Sequence, residues 1–349
     1  MVAAVALTFD LGTTLLLIGM TSNGMRFGLA ASRRNTYTFS GRLQIPATSA
    51  RMLQKSLTSD SDTIIYDLED SVPSSAADKD SARSRLLELI QTVPKEELPQ
   101  PGRLAVRVNS VQTSFFHDDI IQLVQLASIQ TVVLPKVHSA QDLDFVSTQI
   151  RNTLQAGNTS EGRNTPIQLV ASIESAKALY NIGEIASWQS QFGSMLGGQL
   201  VALLVHCADT SIIRTPSRQE LLFTRSQIAI TAKAFGLDAI DMVCVNYKDS
   251  EYLIDECMDG RRLGYTGKQA IHPAQVGIIQ STFVPSAQEI VRAARILRQM
   301  EKAYAERKGA FGLDIANGGK EMIDAPMLKQ AENTIRLAMA ANMEIPNVE

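Results

Sequence analysis

The sequence predicts an α/β fold, a (β/α)8 barrel of the TIM type with a C-terminal helical extension. From about Leu43 onward, β-rich runs alternate with amphipathic or Ala-rich stretches, the pattern of parallel strands joined by helical crossovers. Eight such runs over about 250 residues suit a barrel. An open doubly wound sheet is the alternative, but no Gly-x-Gly-x-x-Gly turn supports it.

The first strand is expected at 43–46. The next six are expected at 63–68, 104–109, 131–136, 167–173, 200–206 and 239–245, and the eighth at 270–273. After Pro285 the pattern changes to Ala, Arg, Glu and Lys at helical spacing over 287–307, followed by a Gly-rich loop to Gly319 and a last helix over 326–343. Residues 33–285 are therefore read as the barrel domain and 286–349 as the extension. This tail is too short for a domain of its own, so it should pack on the barrel or on a neighbouring subunit. Residues 1–32 are read as an N-terminal leader or disordered segment. Asp10 interrupts the apolar stretch and no basic residue precedes it, which argues against a secretory signal, while Arg26, Ser32, Arg33 and Arg34 meet the pattern of a mitochondrial leader only in part. The expected location is mitochondrial, otherwise cytoplasmic. Leu15 to Met20 is too short an apolar run to span a membrane.

The 349 residues are 45% hydrophobic and 20% charged, enough to bury a full core and incompatible with a disordered chain. A formal net charge of -3 gives no global attraction to nucleic acid, so an anionic ligand must be drawn by local Arg or Lys. The three cysteines, Cys207, Cys244 and Cys257, lack the spacing of a zinc site or disulfide scaffold; Cys207 and Cys244 lie in apolar runs and read as buried, inert thiols.

In a barrel the polar residues ending each strand line the active face. Glu174 ends the run that begins at Ile167, and a hard divalent ion such as Mg²⁺ takes oxygen ligands of this kind. The other reading of Glu174 is a carboxylate at a helix start, favoured by the dipole. Arg107, flanked by valines, must find an anion; its planar fork suits a substrate carboxylate or developing enolate, or an ion pair with Asp67 or Glu69. Asp67 and Glu69 point to the same face of a strand, and close carboxylates repel unless Arg or a cation intervenes. Asp70 reads as a helix N-cap. Lys136, after Leu134-Pro135, is a weaker substrate-binding candidate of the same kind as Arg107. Gly267 to Pro273 is expected to form a loop able to cradle phosphate through backbone amides, with Gly267, Lys268 and His272 as ligand-binding candidates. His272 also reads as a packed imidazole.

Asp67-Leu68-Glu69-Asp70-Ser71-Val72, Val106-Arg107-Val108-Asn109, Leu134-Pro135-Lys136, Ile173-Glu174 and Gly267-Lys268-Gln269-Ala270-Ile271-His272-Pro273 together resemble the citrate lyase beta subunit-like branch of the HpcH/HpaI aldolase superfamily. The resemblance spans about Arg33 to Gln280 and extends to Gly319 to Pro326. It implies Mg²⁺ and reversible carbon-carbon cleavage of a 3-hydroxyacyl-CoA thioester, such as citramalyl-CoA or malyl-CoA, to acetyl-CoA and a 2-oxo acid. It further implies Glu174 as metal ligand, Arg107 on the substrate oxygens, Asp324 as acid/base reaching the site from a neighbouring subunit, and a homotrimer or larger homo-oligomer.

Two departures from the family pattern stand out. The acidic pair expected after the sixth strand, which supplies the second metal ligand, is missing from Ala202 to Thr210, where Asp209 is the nearest acid. Ala47 also stands after Pro46 where the family has Gly. A non-catalytic CoA-binding barrel and an aldolase for free 2-oxo acids are the alternative functions.

Overall fold

The computed structural model describes residues 7–11, 14–21, 24–30, 41–157, 167–192, 196–200, 211–305, 310–314 and 319–348. The chain divides into two compact units, 1–37 and 38–349. The first holds an antiparallel meander of β1 (Leu7–Leu11), β2 (Thr14–Thr21) and β3 (Gly24–Ala30), with Leu17 opposite both Thr8 and Gly28.

The second unit is an α/β fold built on one curled parallel sheet. Its strands are β4 (Gly41–Pro46), β5 (Thr63–Asp67), β6 (Leu104–Arg107), β7 (Thr131–Leu134), β8 (Ile167–Ala171), β9 (Leu196–Leu200), β10 (Ile240–Asp241) and β11 (Gly267–Ala270). They lie in the order β10-β11-β4-β5-β6-β7-β8-β9, a cyclic permutation of chain order, as successive crossovers in one direction produce. Every pair among them is parallel. The crossovers contain helices α1 (Ala50–Ser56), α2 (Ala76–Thr92), α3 (Phe115–Leu123), α4 (Ala140–Ala156), α5 (Ala176–Tyr180), α6 (Ile182–Ser187), α7 (Leu222–Ala234) and α8 (Ser250–Leu263), and α9 (Pro273–Phe283) follows the last strand.

Side-chain alternation sorts the strands into two faces. Ile64, Tyr66, Leu104, Val106, Val132, Leu134, Leu169 and Ala171 join the large core beneath the helices. The intervening Ile65, Ala105, Val133, Val170 and Ile240 form a separate inner cluster. Polar side chains start several helices: the hydroxyls of Ser49, Ser75 and Ser175 and the carboxylate of Asp249 each accept an amide from the first turn that follows. Ser75, not Asp70, caps α2, which frees Asp70 for the ion pairs described below.

The sixth strand runs Leu196–Leu200, ahead of its expected place, and the expected range 201–206 lies outside the described residues together with Cys207 and Asp209. The eighth strand is Gly267–Ala270, so Gly267 and Lys268 belong to the sheet and not to a loop. A lysine in a buried strand departs from the apolar pattern, and the reason is its partners. Lys268 Nζ lies 3.2 Å from Glu256 Oε2 on α8 and 3.6 Å from Asp241 Oδ2 on β10. Arg225 of α7 grips the same Asp241 through Nη2 at 2.8 Å and Nε at 3.1 Å. Burial opposes charge on Asp241 and Glu256, but Lys268 with Arg225 holds Asp241, and Lys268 with Arg214 holds Glu256, below their ordinary values.

The tail contains α10 (Ala287–Ala305), an antiparallel hairpin of β12 (Phe311–Asp314) and β13 (Lys320–Ile323), and α11 (Ala325–Ala340). The hairpin replaces part of the expected Gly-rich loop. The tail has its own core, including Ile290, Ile296, Met300, Ile323 and Ile335, and Arg261 on α8 bonds Glu289 on α10 at 2.8 Å. Cys244 and Cys257 are free and buried, and burial pushes their thiols up to about 11 and about 12. They are inert at neutral pH.

Gly260 faces the buried ionic cluster, where a Cβ would stand 2.6 Å from Asp241 Oδ2. Alanine gains about 1 kcal/mol in helix propensity, but a forced core overlap costs roughly 1–3 kcal/mol. Asp241 is a short side chain locked by Arg225, so the overlap should win. Gly260→Ala is expected to lower the thermal midpoint, and a variant melting at or above wild type would refute this account.

Candidate active site

Asp67 and Arg107 are register partners on adjacent parallel strands and emerge on the inner face at the carboxyl ends of β5 and β6. Arg107 donates from Nε to Asp67 Oδ1 and from Nη2 to Asp67 Oδ2, both at 2.7 Å. Asp67 also accepts the amides of Glu69 at 3.0 Å and Ser71 at 3.2 Å, and Gln44 Nε2 at 2.7 Å. Burial alone would raise the Asp67 carboxyl, yet the guanidinium and these amides hold it below its ordinary value. Arg107 is correspondingly held above its own, despite desolvation.

Beside this fork lies a second acid. Glu69 takes Arg107 Nη1 at 3.0 Å and Lys136 Nζ at 2.6 Å. Asp70 stands 3.4 Å from Lys136 and 3.8 Å from Arg107. Burial, reinforced by Asp70, leaves Glu69 above its ordinary value even so, against the pull of Arg107 and Lys136. Lys136 has φ +52, in the left-handed region that side chains other than glycine rarely occupy. Backbone strain of this kind clusters at functional sites.

Glu174 follows β8 on the same rim. Its Oε1 is buried without a hydrogen-bond partner among the described residues. Burial first, and the nearby Glu69 charge second, push its carboxyl up to about 7, with Arg107 and Lys136 opposing. Asp67, Glu69, Asp70 and Glu174 face Arg107 and Lys136, with Lys79 behind the acid turn, an excess of one negative charge when all are ionised. The oxygen donors, the excess charge and the unpartnered Glu174 Oε1 fit a hard divalent cation such as Mg²⁺. Among the described residues no cluster of three or more His, Cys, Asp or Glu is arranged around a metal position.

Asp67, Glu69, Arg107, Lys136 and Glu174 are thus brought together, and both readings of Arg107 as an ion-pair partner hold at once. Gly267 is buried in β11, and Lys268 is fully buried toward α8, which corrects the loop expected there. His272 stays exposed, accepts Ala274 N at 3.2 Å and stacks on Tyr247 at 4.9 Å. Asp324 lies in the tail as the N-cap of α11, accepting Met327 N at 3.2 Å. Asp209 lies outside the described residues. Sequence reasoning missed Gln44, which reaches Asp67 and accepts Gln269 Nε2. A polar residue between Leu43 and Ile45 was its only signal.

A parallel α/β sheet with buried charged side chains gathered at the carboxyl ends of its strands puts this cluster where enzymes of such architecture bind small molecules. The family model HpcH/HpaI aldolase/citrate lyase matches residues 42–273, from the second residue of β4 to the first of α9. The chain belongs to this family, in its citrate lyase beta and citramalyl-CoA lyase branch, and is a lyase. It is 30% identical over 319 residues to the mitochondrial citramalyl-CoA lyase of Homo sapiens, covering 90% of this chain and 89% of the relative. Protein CitE from Mycobacterium tuberculosis, solved in complex with magnesium, acetoacetate and coenzyme A, is 26% identical with a TM-score of 0.60, over 86% of this chain and 98% of that one. A citrate lyase from Burkholderia xenovorans LB400, 19% identical with a TM-score of 0.72 over 88% of this chain and 94% of that one, shares the fold.

Glu174 binds its proton more tightly folded, at about 7, than at the ordinary 4.5. Its contribution therefore favours the fold below pH 4.5 and is lost as pH rises through 7, amounting to about 3 kcal/mol. In chelator, Glu174→Gln and wild type should melt close together at pH 5, with the variant melting higher at pH 8. Equal midpoints at pH 8 would remove the claim of a strained carboxylate.

Proposed function

We propose that the chain is a Mg²⁺-dependent lyase that cleaves a 3-hydroxyacyl-CoA thioester, such as citramalyl-CoA or malyl-CoA, to acetyl-CoA and a 2-oxo acid. The observation that carries this reading is the buried Glu174 carboxylate beside the Arg107 cluster, whose Oε1 has no hydrogen-bond partner among the described residues. Magnesium, acetoacetate and coenzyme A in the Mycobacterium relative, and the activity named for the human one, support the ligand class. The same reading takes the sheet as a closed (β/α)8 barrel, supported by the cyclic strand order.

Glu174 would hold the metal, with Asp209 as the second acid. Bound there, Mg²⁺ would supply Lewis-acid polarisation of the substrate's carbonyl or hydroxyl oxygen. Arg107, already oriented by Asp67, would direct its remaining N–H bonds at the oxygen where negative charge develops. Lys136 would take the substrate carboxylate, releasing part of its hold on Glu69. Asp67 would keep the guanidinium fixed. His272, exposed ahead of α9, would contact the CoA portion. Asp324 of a neighbouring subunit would move the proton between the hydroxyl and the thioester α-carbon.

Glu174→Ala should abolish Mg²⁺-dependent citramalyl-CoA cleavage in a coupled acetyl-CoA assay, and unchanged turnover would sink the assignment. Mixed oligomers of Glu174→Ala and Asp324→Ala chains should regain part of the activity that each lacks alone. No recovery would place Asp324 outside a shared site. Cleavage of free 2-oxo acids with no turnover of thioesters would favour the aldolase reading.

The relatives named mitochondrial support the same location, and we take 1–32 as a leader removed on import. Protein recovered from mitochondria should begin after that segment when its N-terminus is sequenced. An intact Met1 there would exclude cleavage.

A further inference from the structure

We propose that Lys79 and Arg83, two cations one turn apart on α2, are positioning residues that fix the acid turn and the Arg107 strand end from behind. The inference rests on the reading of the rim as the active site. Lys79 is buried, and its Nζ donates to the carbonyl oxygens of both Leu68 and Glu69 at 2.8 Å. Its ammonium also lies over the Phe115 ring at 5.9 Å. The Glu69 carbonyl accepts Val72 N at 3.0 Å as well, and the Glu69 amide is bound to Asp67. Glu69 is therefore held through its backbone on both sides, and this fixes where its carboxylate meets Arg107 and Lys136.

Arg83 works on the neighbouring strand through one intermediary. Its Nε bonds Asp119 Oδ1 at 2.9 Å, and Asp119 Oδ2 accepts both the backbone amide and the side-chain Nδ2 of Asn109 at 2.8 Å. Asn109 lies two residues beyond Arg107. The fourfold spacing of Lys79 and Arg83 puts both on one face of α2. Buried cations are costly where apolar side chains would pack, so a face carrying two of them calls for a use. Here the use is geometric: one rigid helix sets the distance between the Glu69 turn and the Arg107 strand end.

The test is Lys79→Met, assayed on the thioester that wild type cleaves, with hydrogen–deuterium exchange followed along the chain. A misplacement of this size should cost about 10- to 100-fold in kcat, with KM changed less than about threefold. Exchange in the 66–73 segment should rise about tenfold while the other strands keep wild-type protection. A kcat within twofold of wild type, unchanged exchange in 66–73, or faster exchange throughout the sheet would each overturn the proposal. If Lys79→Met does not fold, Lys79→Gln, which keeps a donor for one carbonyl, is judged by the same criteria. A wild-type enzyme that cleaves no thioester defeats the functional reading and leaves the exchange result to decide the role of Lys79.

Discussion

The site depends on the two-bond fork between Asp67 and Arg107. Both groups are buried, and in isolation neither charge would be tolerated there; paired, each satisfies the other in a planar geometry that Lys could not reproduce. Removing one partner of such a pair typically costs about 3–5 kcal/mol because the other is left buried and alone. Everything nearby is arranged around the fork. The amides of Glu69 and Ser71 close on Asp67, Gln44 reaches it across the inner face, and the third guanidinium nitrogen reaches Glu69. The guanidinium is thereby held in one orientation by the protein alone, the preorganisation that the proposed role of Arg107 requires.

Charge around this fork is deliberately unbalanced. Asp67 is neutralised by Arg107, and Glu69 and Asp70 share Lys136 with it, whereas Glu174 Oε1 has no hydrogen-bond partner among the described residues. A buried carboxylate in that position resists ionisation until a cation or substrate group compensates it. The rim therefore carries an unfavourable electrostatic term, and the left-handed backbone of Lys136 adds strain beside it. Stability and function pull in opposite directions at these residues.

The outer side of β10 and β11 shows the opposite use of charge. Arg225, Asp241, Lys268 and Glu256 are buried, opposite signs are in contact, and the cluster joins the sheet to helices α7 and α8. Gly260 is the small residue that lets α8 come close enough. The two ionic clusters look alike in composition. They differ in which face of the sheet they occupy, and alternation along the strands decides that.

Much of this was legible in the chain. Alternating β-rich and helical patterns give the crossover order, since burial of a parallel strand on both faces needs a run of apolar residues. The period of two put Asp67 and Glu69 on one side, and valines around Arg107 signalled a charge that needed a partner. Local pattern was insufficient wherever a polar residue was paid for by a distant one. Lys268 read as loop because its compensating acids, Asp241 and Glu256, lie 27 and 12 positions away and meet it only in the fold. Asp70 read as a helix cap because Ser75 competes for that role and Lys136 waits 66 residues on. The roles of Gln44, Lys79 and Asp119 were hidden for the same reason. Sequence periodicity, being local, settles which residues are strand, helix and core; the pairing of buried charges is a long-range balance of desolvation against Coulomb attraction, and only the assembled sheet and its helices could decide it.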